Sequence, residues 1–150
     1  MNKSSEKLRG FSLIEVVTVI FVISFVMAGL FMTSGQARAR QSLNEAKELV
    51  VRVLETARNR SATGHGSMSH GVYIESDGIT EFEGESYTGA GYKHILPPFT
   101  LTDQTGTEII FKRLTMQTNL SVNVTIIILN SNGDTETVTV SPSGAISESD

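Results

Sequence analysis

The sequence predicts an α+β fold in which one long amino-terminal helix packs against an antiparallel β-sheet head. No proline interrupts the first part of the chain, where only Gly29 and Gly35 weaken a helix that extends from Phe11 to Ala62. After Ala62 the composition turns to Gly, Ser and Thr, and apolar residues alternate with polar ones as they do in strands. A chain of 150 residues is long enough for one small domain beside such a helix.

An apolar run opens the helix, and it contains one charge. From Phe11 to Met32 the only ionisable residue is Glu15. At about 1.5 Å per residue the run forms a helix of roughly 33 Å, close to the thickness of the hydrocarbon core of a bilayer, so we predict a transmembrane helix. A carboxylate inside such a helix costs on the order of 2.5 kcal/mol or more. Glu15 is therefore predicted to be functional and to have a partner.

A basic leader precedes the apolar run. It contains Lys3, Lys7 and Arg9 against Glu6, and by the positive-inside rule this charge keeps the amino end in the cytoplasm. The residues after the run are then predicted to lie outside the membrane. Two simpler interpretations stay open. A cleaved secretory signal requires a shorter apolar run without an early Glu15, and a plain single-pass anchor leaves Glu15 unexplained.

The junction Gly10-Phe11, followed by Glu15, resembles the class III signal of type IV prepilins and pseudopilins, where Gly ends the leader, Phe opens the mature chain and Glu is its fifth residue. The resemblance implies cleavage after Gly10 by a prepilin peptidase, N-methylation of Phe11 and retention of the apolar run. It implies a single-pass protein of the inner membrane with its head in the periplasm or outside the cell. The partners it implies are homologous pilin or pseudopilin subunits, the inner-membrane assembly platform and membrane lipid.

The second half of the helix is amphipathic. Apolar residues recur there at three- and four-residue steps and form one stripe, which predicts a helix packed on a sheet. The stripe consists of Leu43, Ala46, Val50, Val53, Leu54 and Ala57, and the basic residues Arg38, Arg40, Lys47, Arg52 and Arg58 occupy other faces. Glu48 and Arg52, and Glu55 and Arg58, have the spacing of stabilising intrahelical pairs. The predicted organisation is a leader at 1–10, an assembly half of the helix at 11–35, an amphipathic half at 36–62 and the β head at 63–150.

The head contains two predicted hairpins. The first joins 71–75 to 79–83 through Ser76-Asp77-Gly78, where Asp-Gly tolerates the positive φ of a tight turn, and the second joins 122–129 to 136–140 through Asn130 to Asp134. A further strand is predicted at 108–114, and a short last segment around Ala145-Ile146. Residues 84–98 are rich in Gly and end in Pro97-Pro98, which predicts a long surface loop.

A long helix followed by a mostly antiparallel sheet is similar to the H-type minor pseudopilins of type II secretion and to the FimT-like minor pilins. The chain departs from other members in two respects. Major pilins often end in a disulfide-bounded loop, whereas this sequence has no cysteine. Many pilins carry a proline late in the apolar run, and here the only prolines are Pro97, Pro98 and Pro142.

No catalytic constellation is visible, and we predict neither enzyme activity nor a cofactor. His65, His70 and His94 lack the spacing of a rigid metal site. The segment from Asn130 to Asp134 resembles a calcium loop but lacks its acidic first ligand and its distant Glu, so turn chemistry suffices. Residues 61–150 have a net charge of −8, from eleven acids against Lys93, Lys112 and Arg113. DNA binding is therefore disfavoured, although the helix arginines also permit a nucleic-acid track as an alternative.

Two functions of different kinds follow. In the first, the chain is a structural subunit, a minor pilin or pseudopilin, of a type IV pilus or type II secretion filament. The Phe11 amine that cleavage creates then pairs with Glu15 of an adjacent subunit and neutralises both charges in an apolar setting. In the second, the head lies at a filament tip and contacts an exported protein, a surface or DNA.

Overall fold

One helix dominates the amino-terminal third of the chain. A computed structural model of the protein describes residues 11–64, 66, 68–96 and 99–149, without the side chains of 29–37. Helix α1 is continuous over Leu13–Thr63, 51 residues, as the absence of proline predicted. It ends where Gly64 adopts a φ of +67° and donates its N–H to the Ser61 carbonyl at 3.2 Å, a common helix stop. The predicted leader, 1–10, lies outside the described residues.

The chain divides into two compact units between Arg38 and Ala39. Within the described residues no helix meets the combined length and hydropathy of a membrane span. The predicted transmembrane segment is therefore not confirmed. That segment was predicted to continue to Met32, and the side chains of residues 29–37 are not among those described.

The second unit contains eight strands in two antiparallel sheets, which confirms the α+β class. The strands are β1 (His70–Glu75), β2 (Gly78–Glu83), β3 (Tyr92–Ile95), β4 (Thr100–Thr102), β5 (Glu108–Phe111), β6 (Val124–Leu129), β7 (Thr135–Val140) and β8 (Ile146–Ser149). The first sheet has the order β3-β2-β1-β5, and the second has the order β4-β6-β7-β8. Both predicted hairpins are present, with the registers Glu75↔Gly78 and Leu129↔Thr135 next to their turns.

The structure corrects the prediction in three places. The head has two sheets and not one. The predicted loop 84–98 contains β3, which was missed because its four side chains are exposed or half-buried and show no alternation. Gly78 was assigned to a turn with positive φ, but its φ is not positive; glycine is needed there because a Cβ would lie 2.2 Å from the His94 carbonyl oxygen of β3.

The core of this unit lies between the carboxyl-terminal part of α1 and both sheets. All six predicted stripe residues of the helix are buried. They form one hydrophobic cluster with residues of both sheets, among them Val72 and Ile109 of the first and Ile126 and Val138 of the second. Complete burial of a valine or leucine side chain contributes about 1.5–3 kcal/mol. The stripe is therefore the main apolar contact between the helix and the head.

Candidate assembly site

The first unit displays apolar side chains to its surroundings. Phe11 is 80% exposed, Leu13 84% and Phe25 76%. Every other described apolar side chain from Ile14 to Ala28 is also exposed. An isolated soluble domain does not normally expose an apolar surface of this length, and patches of this kind mark contacts with protein or lipid.

The hydroxyl groups of this apolar segment are satisfied within the helix. The Thr18 Oγ1 donates to the Ile14 carbonyl at 2.7 Å, and the Ser24 Oγ donates to the Ile20 carbonyl at 2.8 Å. Such bonds to the carbonyl four residues earlier remove the need for an external partner. The segment can therefore enter apolar surroundings without leaving these two hydroxyls unpaired.

Glu15 is the exception among the polar groups of the segment. It lies in the first turn of α1, where its backbone N–H donates to the Ser12 carbonyl at 3.0 Å and its carboxylate benefits from the helix dipole. The residue is exposed, and in the described part of the chain no cation lies within ion-pair distance of its carboxylate. Glu15 is thus a solitary charge on an apolar surface, positioned to take a cation from another molecule.

The other two residues of the predicted site are Phe11 and Gly10. Phe11 lies two residues before α1 begins, and its side chain is exposed. Gly10 lies outside the described residues. The roles of Gly10, Phe11 and Glu15 stay predictions.

Comparison with known proteins gives a family-model match and a structural match. Residues 7–31 match the family model for the prokaryotic N-terminal methylation motif. A solved structure, the type IV minor pilin FimU of Pseudomonas aeruginosa strain PAO1, superimposes with a TM-score of 0.58 at 16% identity, over 72% of this chain and 93% of the other. A search of curated proteins finds no match.

Motif and fold agree. The chain has a pilin-like fold, and its residues 7–31 carry the prokaryotic N-terminal methylation motif. The matched motif includes the exposed apolar segment and Glu15, so this segment is the candidate functional site of the first unit.

The head of this pilin-like protein contains an ion pair that the sequence did not reveal. Lys47 was assigned to an outer face of the helix, but it is buried, and its Nζ lies 2.9 Å from Glu136 of β7 and 3.7 Å from Glu148 of β8. Its spacing in the sequence indicated this burial, because Lys47 is four residues after Leu43 and three before Val50, at the margin of the stripe. The pair joins α1 to the second sheet.

A second ion pair joins α1 to the first sheet. The Arg60 guanidinium donates to the Glu81 carboxylate of β2 at 2.7 Å. The predicted intrahelical pairs are not formed: in the described residues Arg52 and Arg58 have no acid within ion-pair distance. The arginines of the pilin-like helix also differ in their surroundings, since Arg58 is half-buried and Arg60 is held by Glu81.

The two described histidines of the pilin-like head, His70 and His94, belong to different strands. His70 is buried in β1, where its backbone N–H donates to Ser61 Oγ at 2.8 Å and its Nδ1 lies 3.9 Å from Glu83. His94 is on β3, with its ring edge against Tyr92, and His65 lies outside the described residues. Among the residues that the structure describes, no three His, Cys, Asp or Glu side chains form a possible metal site.

The Asn130 to Asp134 segment, considered above as a calcium loop, is a turn stabilised by its own side chains. The Asn130 Oδ1 accepts the backbone N–H groups of Asn132 and Asp134, both at 2.9 Å, and the Asn130 Nδ2 donates to the Asp134 carboxylate at 3.0 Å. Gly133 has a φ of +86°, which the turn requires. The oxygen atoms that suggested a cation site are used within the turn.

A charged cluster stabilises the first hairpin of the pilin-like head. The Lys93 ammonium donates to the carboxylates of Glu75 and Asp77, and its Nζ is 2.9 Å from Asp77. The hydrogen bond from Lys93 lowers the pKa of the Asp77 carboxyl from its ordinary 3.8. The bonds to Glu75 and then Asp77 raise the pKa of Lys93. The cluster links β3 to the turn between β1 and β2.

Proposed function

We propose that this chain is a minor subunit of a type IV pilus-like filament, which it enters through its amino-terminal helix. The observation that supports this most is the exposed, isolated Glu15 carboxylate on an apolar helical surface whose hydroxyl groups are already satisfied. The fold likeness to a minor pilin supports the choice of a pilus over a type II secretion filament.

In this proposal a prepilin peptidase cuts after Gly10, and the new amino terminus at Phe11 is N-methylated. The apolar segment holds the subunit in the inner membrane, where the assembly platform receives it. The Phe11 amine of one subunit then pairs with Glu15 of its neighbour. Because an unpaired charge in low-dielectric surroundings is strongly unfavourable, this pair selects one register between adjacent helices.

The proposal is tested with full-length Glu15→Gln and Glu15→Ala in cells with an active prepilin peptidase and filament system. Removing one member of the pair leaves the other unpaired, so we expect incorporation into sheared filaments to fall by at least about tenfold. The matched control is Glu48→Gln, an exposed acid on the same helix, which should assemble normally. Wild-type incorporation of the Glu15 variants would show that the carboxylate has no such role.

The proposed cleavage after Gly10 and methylation of Phe11 are tested by a separate measurement. Amino-terminal mass spectrometry of the protein from the same cells should find a chain that starts with a methylated Phe11. An intact Met1 terminus in cells whose peptidase processes other prepilins would reject the assignment.

A further inference from the structure

The two sheets of the head leave two of their four edges open. The β4 edge is covered, because Leu101 donates its N–H to the Ser76 carbonyl at 2.9 Å. The β5 edge is covered by the segment 117–119: the Asn119 N–H donates to the Ile110 carbonyl at 3.0 Å, and the Ile110 N–H donates to the Asn119 Oδ1 at 2.9 Å. Strands β3 and β8 have a strand partner on one side alone in the described part of the chain.

The open β3 edge is accompanied by a groove. Three cavities of about 370, 430 and 320 Å³ follow one another along helix α1 beside β2 and β3. The first and second share Arg60 and Tyr92 in their lining, and the second and third share Leu49. Tyr92 and Ile95 of β3 are 70% and 60% exposed. An open strand edge with exposed apolar side chains is a template for pairing with another strand.

The groove contains a cation without a counter-charge. Arg52 lines its middle cavity, is exposed and has no acid within ion-pair distance among the described residues. Arg60 in the same cavity is already neutralised by Glu81. Lys93, the charge on β3 that would normally protect an edge strand, bonds back to Glu75 and Asp77 of its own sheet. The edge is thus left open, and the groove beside it attracts an acidic group.

The open β8 edge has the complementary chemistry. It is four residues long, as is β3. Residues Ser147 to Ser149 are exposed, and the Glu148 side chain retains 49% of its exposure beside Lys47. One open edge of the molecule therefore lies beside an arginine with no acid partner among the described residues, and the other presents a half-exposed carboxylate that shares Lys47 with Glu136.

We propose that the β3 edge and its groove bind strand β8 of a second copy of this chain, with Glu148 of that copy facing Arg52. The contact joins two different surfaces, so each dimer retains one free β3 edge and one free β8 edge. Head-to-tail contacts of this type give open chains. The inference rests on the proposed function, because it concerns copies of this minor subunit that enter the filament next to one another.

Disulfide trapping on the purified full-length chain in detergent micelles tests this contact. Because the sequence contains no cysteine, every disulfide that forms must involve an introduced residue. Two double variants, Ile95→Cys with Ser147→Cys and Ile95→Cys with Ser149→Cys, sample the strand register. The matched control combines Ile95→Cys with Ser131→Cys, an exposed position in the β6–β7 turn. All the substituted positions are exposed, and thermal unfolding verifies that each variant is folded.

On oxidation we expect at least one β3–β8 variant to form a ladder of dimers, trimers and tetramers, while the control and Ile95→Cys alone do not extend beyond dimers. In the ladder-forming background Arg52→Glu should reduce the yield several-fold, and Arg40→Glu, an exposed arginine of the same helix outside the groove, should not. Absence of a ladder, dimers alone, or a ladder equal to that of the control would overturn the contact. An unchanged yield with Arg52→Glu would show that Arg52 and Glu148 do not pair in the contact.

The outcomes separate this inference from the proposed function, because micelles contain no assembly machinery. A ladder together with normal filament incorporation of Glu15→Gln would reject the proposed assembly role alone. A missing ladder together with failed incorporation of Glu15→Gln would reject the strand contact alone.

Discussion

Two segments of helix α1 contain apolar residues, and the surroundings of those residues are opposite. From Leu13 to Ala28 the apolar side chains are exposed, whereas from Leu43 to Ala57 the stripe residues are buried under two sheets. The same side-chain chemistry therefore serves two purposes: the second segment is satisfied within the chain, and the first requires a partner outside it. The comparison teaches that a segment of apolar residues need not belong to the core of the folded subunit, and that exposure marks the first segment as the proposed assembly surface.

The largest expected effect comes from truncating the two segments in parallel. Leu54→Ala creates a cavity at a fully buried position and should lower the free energy of unfolding by about 2–5 kcal/mol. Leu13→Ala, at an 84% exposed position, should change it by less than about 0.5 kcal/mol. Urea unfolding of the full-length variants in detergent measures both. Equal losses would break the distinction between the segments.

The next effect concerns the ion pair that joins the buried segment to the second sheet. Lys47→Ala leaves the Glu136 carboxylate, whose side chain is 16% exposed, without its nearest cation. We expect a loss of about 2 kcal/mol in unfolding free energy, below the value for a fully buried pair because solvent reaches Glu136. The double variant Lys47→Met, Glu136→Gln should recover part of it. If the double variant is less stable than Lys47→Ala, the cost does not come from the unpaired carboxylate.

A smaller effect should follow at the end of the helix. Ser61 is buried, and its Oγ accepts the His70 N–H at 2.8 Å. Ser61→Ala leaves that buried N–H unpaired, so we expect about 1 kcal/mol of destabilisation, the lower end of the cost of an unsatisfied buried donor. Thr63→Ala provides the control, since the Thr63 hydroxyl is exposed and bonds within its own helix. Chemical denaturation that shows the same change in both would exclude a specific role for Ser61.

The smallest effect is pH-dependent. Because the folded-state pKa of Asp77 is lowered from 3.8 by Lys93, its stabilisation is present above that value and is lost as the pH falls through the folded-state pKa. The stability difference between wild type and Asp77→Asn should therefore be small at neutral pH, disappear in acid and weaken in high salt. Denaturation of both proteins from pH 7 down to pH 2 measures it. A difference that grows in acid would have the wrong sign.

Several features of the fold could be read in advance because they depend on local pattern. The continuous helix follows from the absence of proline, and the buried stripe follows from three- and four-residue spacing. Strand β3 could not be read, because its exposed side chains do not alternate and its place is set by pairing with β2. Gly78 was recognised as a turn residue, yet its reason is tertiary: the His94 carbonyl leaves no space for a Cβ.

The sequence by itself determined the methylation motif on which the proposed assembly role depends, since Gly10, Phe11, Glu15 and the apolar run are recognised by their order and spacing in the chain alone. The tertiary structure decided the rest. It brought Lys47 to Glu136, divided the head into two sheets, and covered two sheet edges while it left β3 and β8 open. Contacts between residues far apart in sequence depend on how the chain folds back on itself, and a local sequence pattern does not specify them.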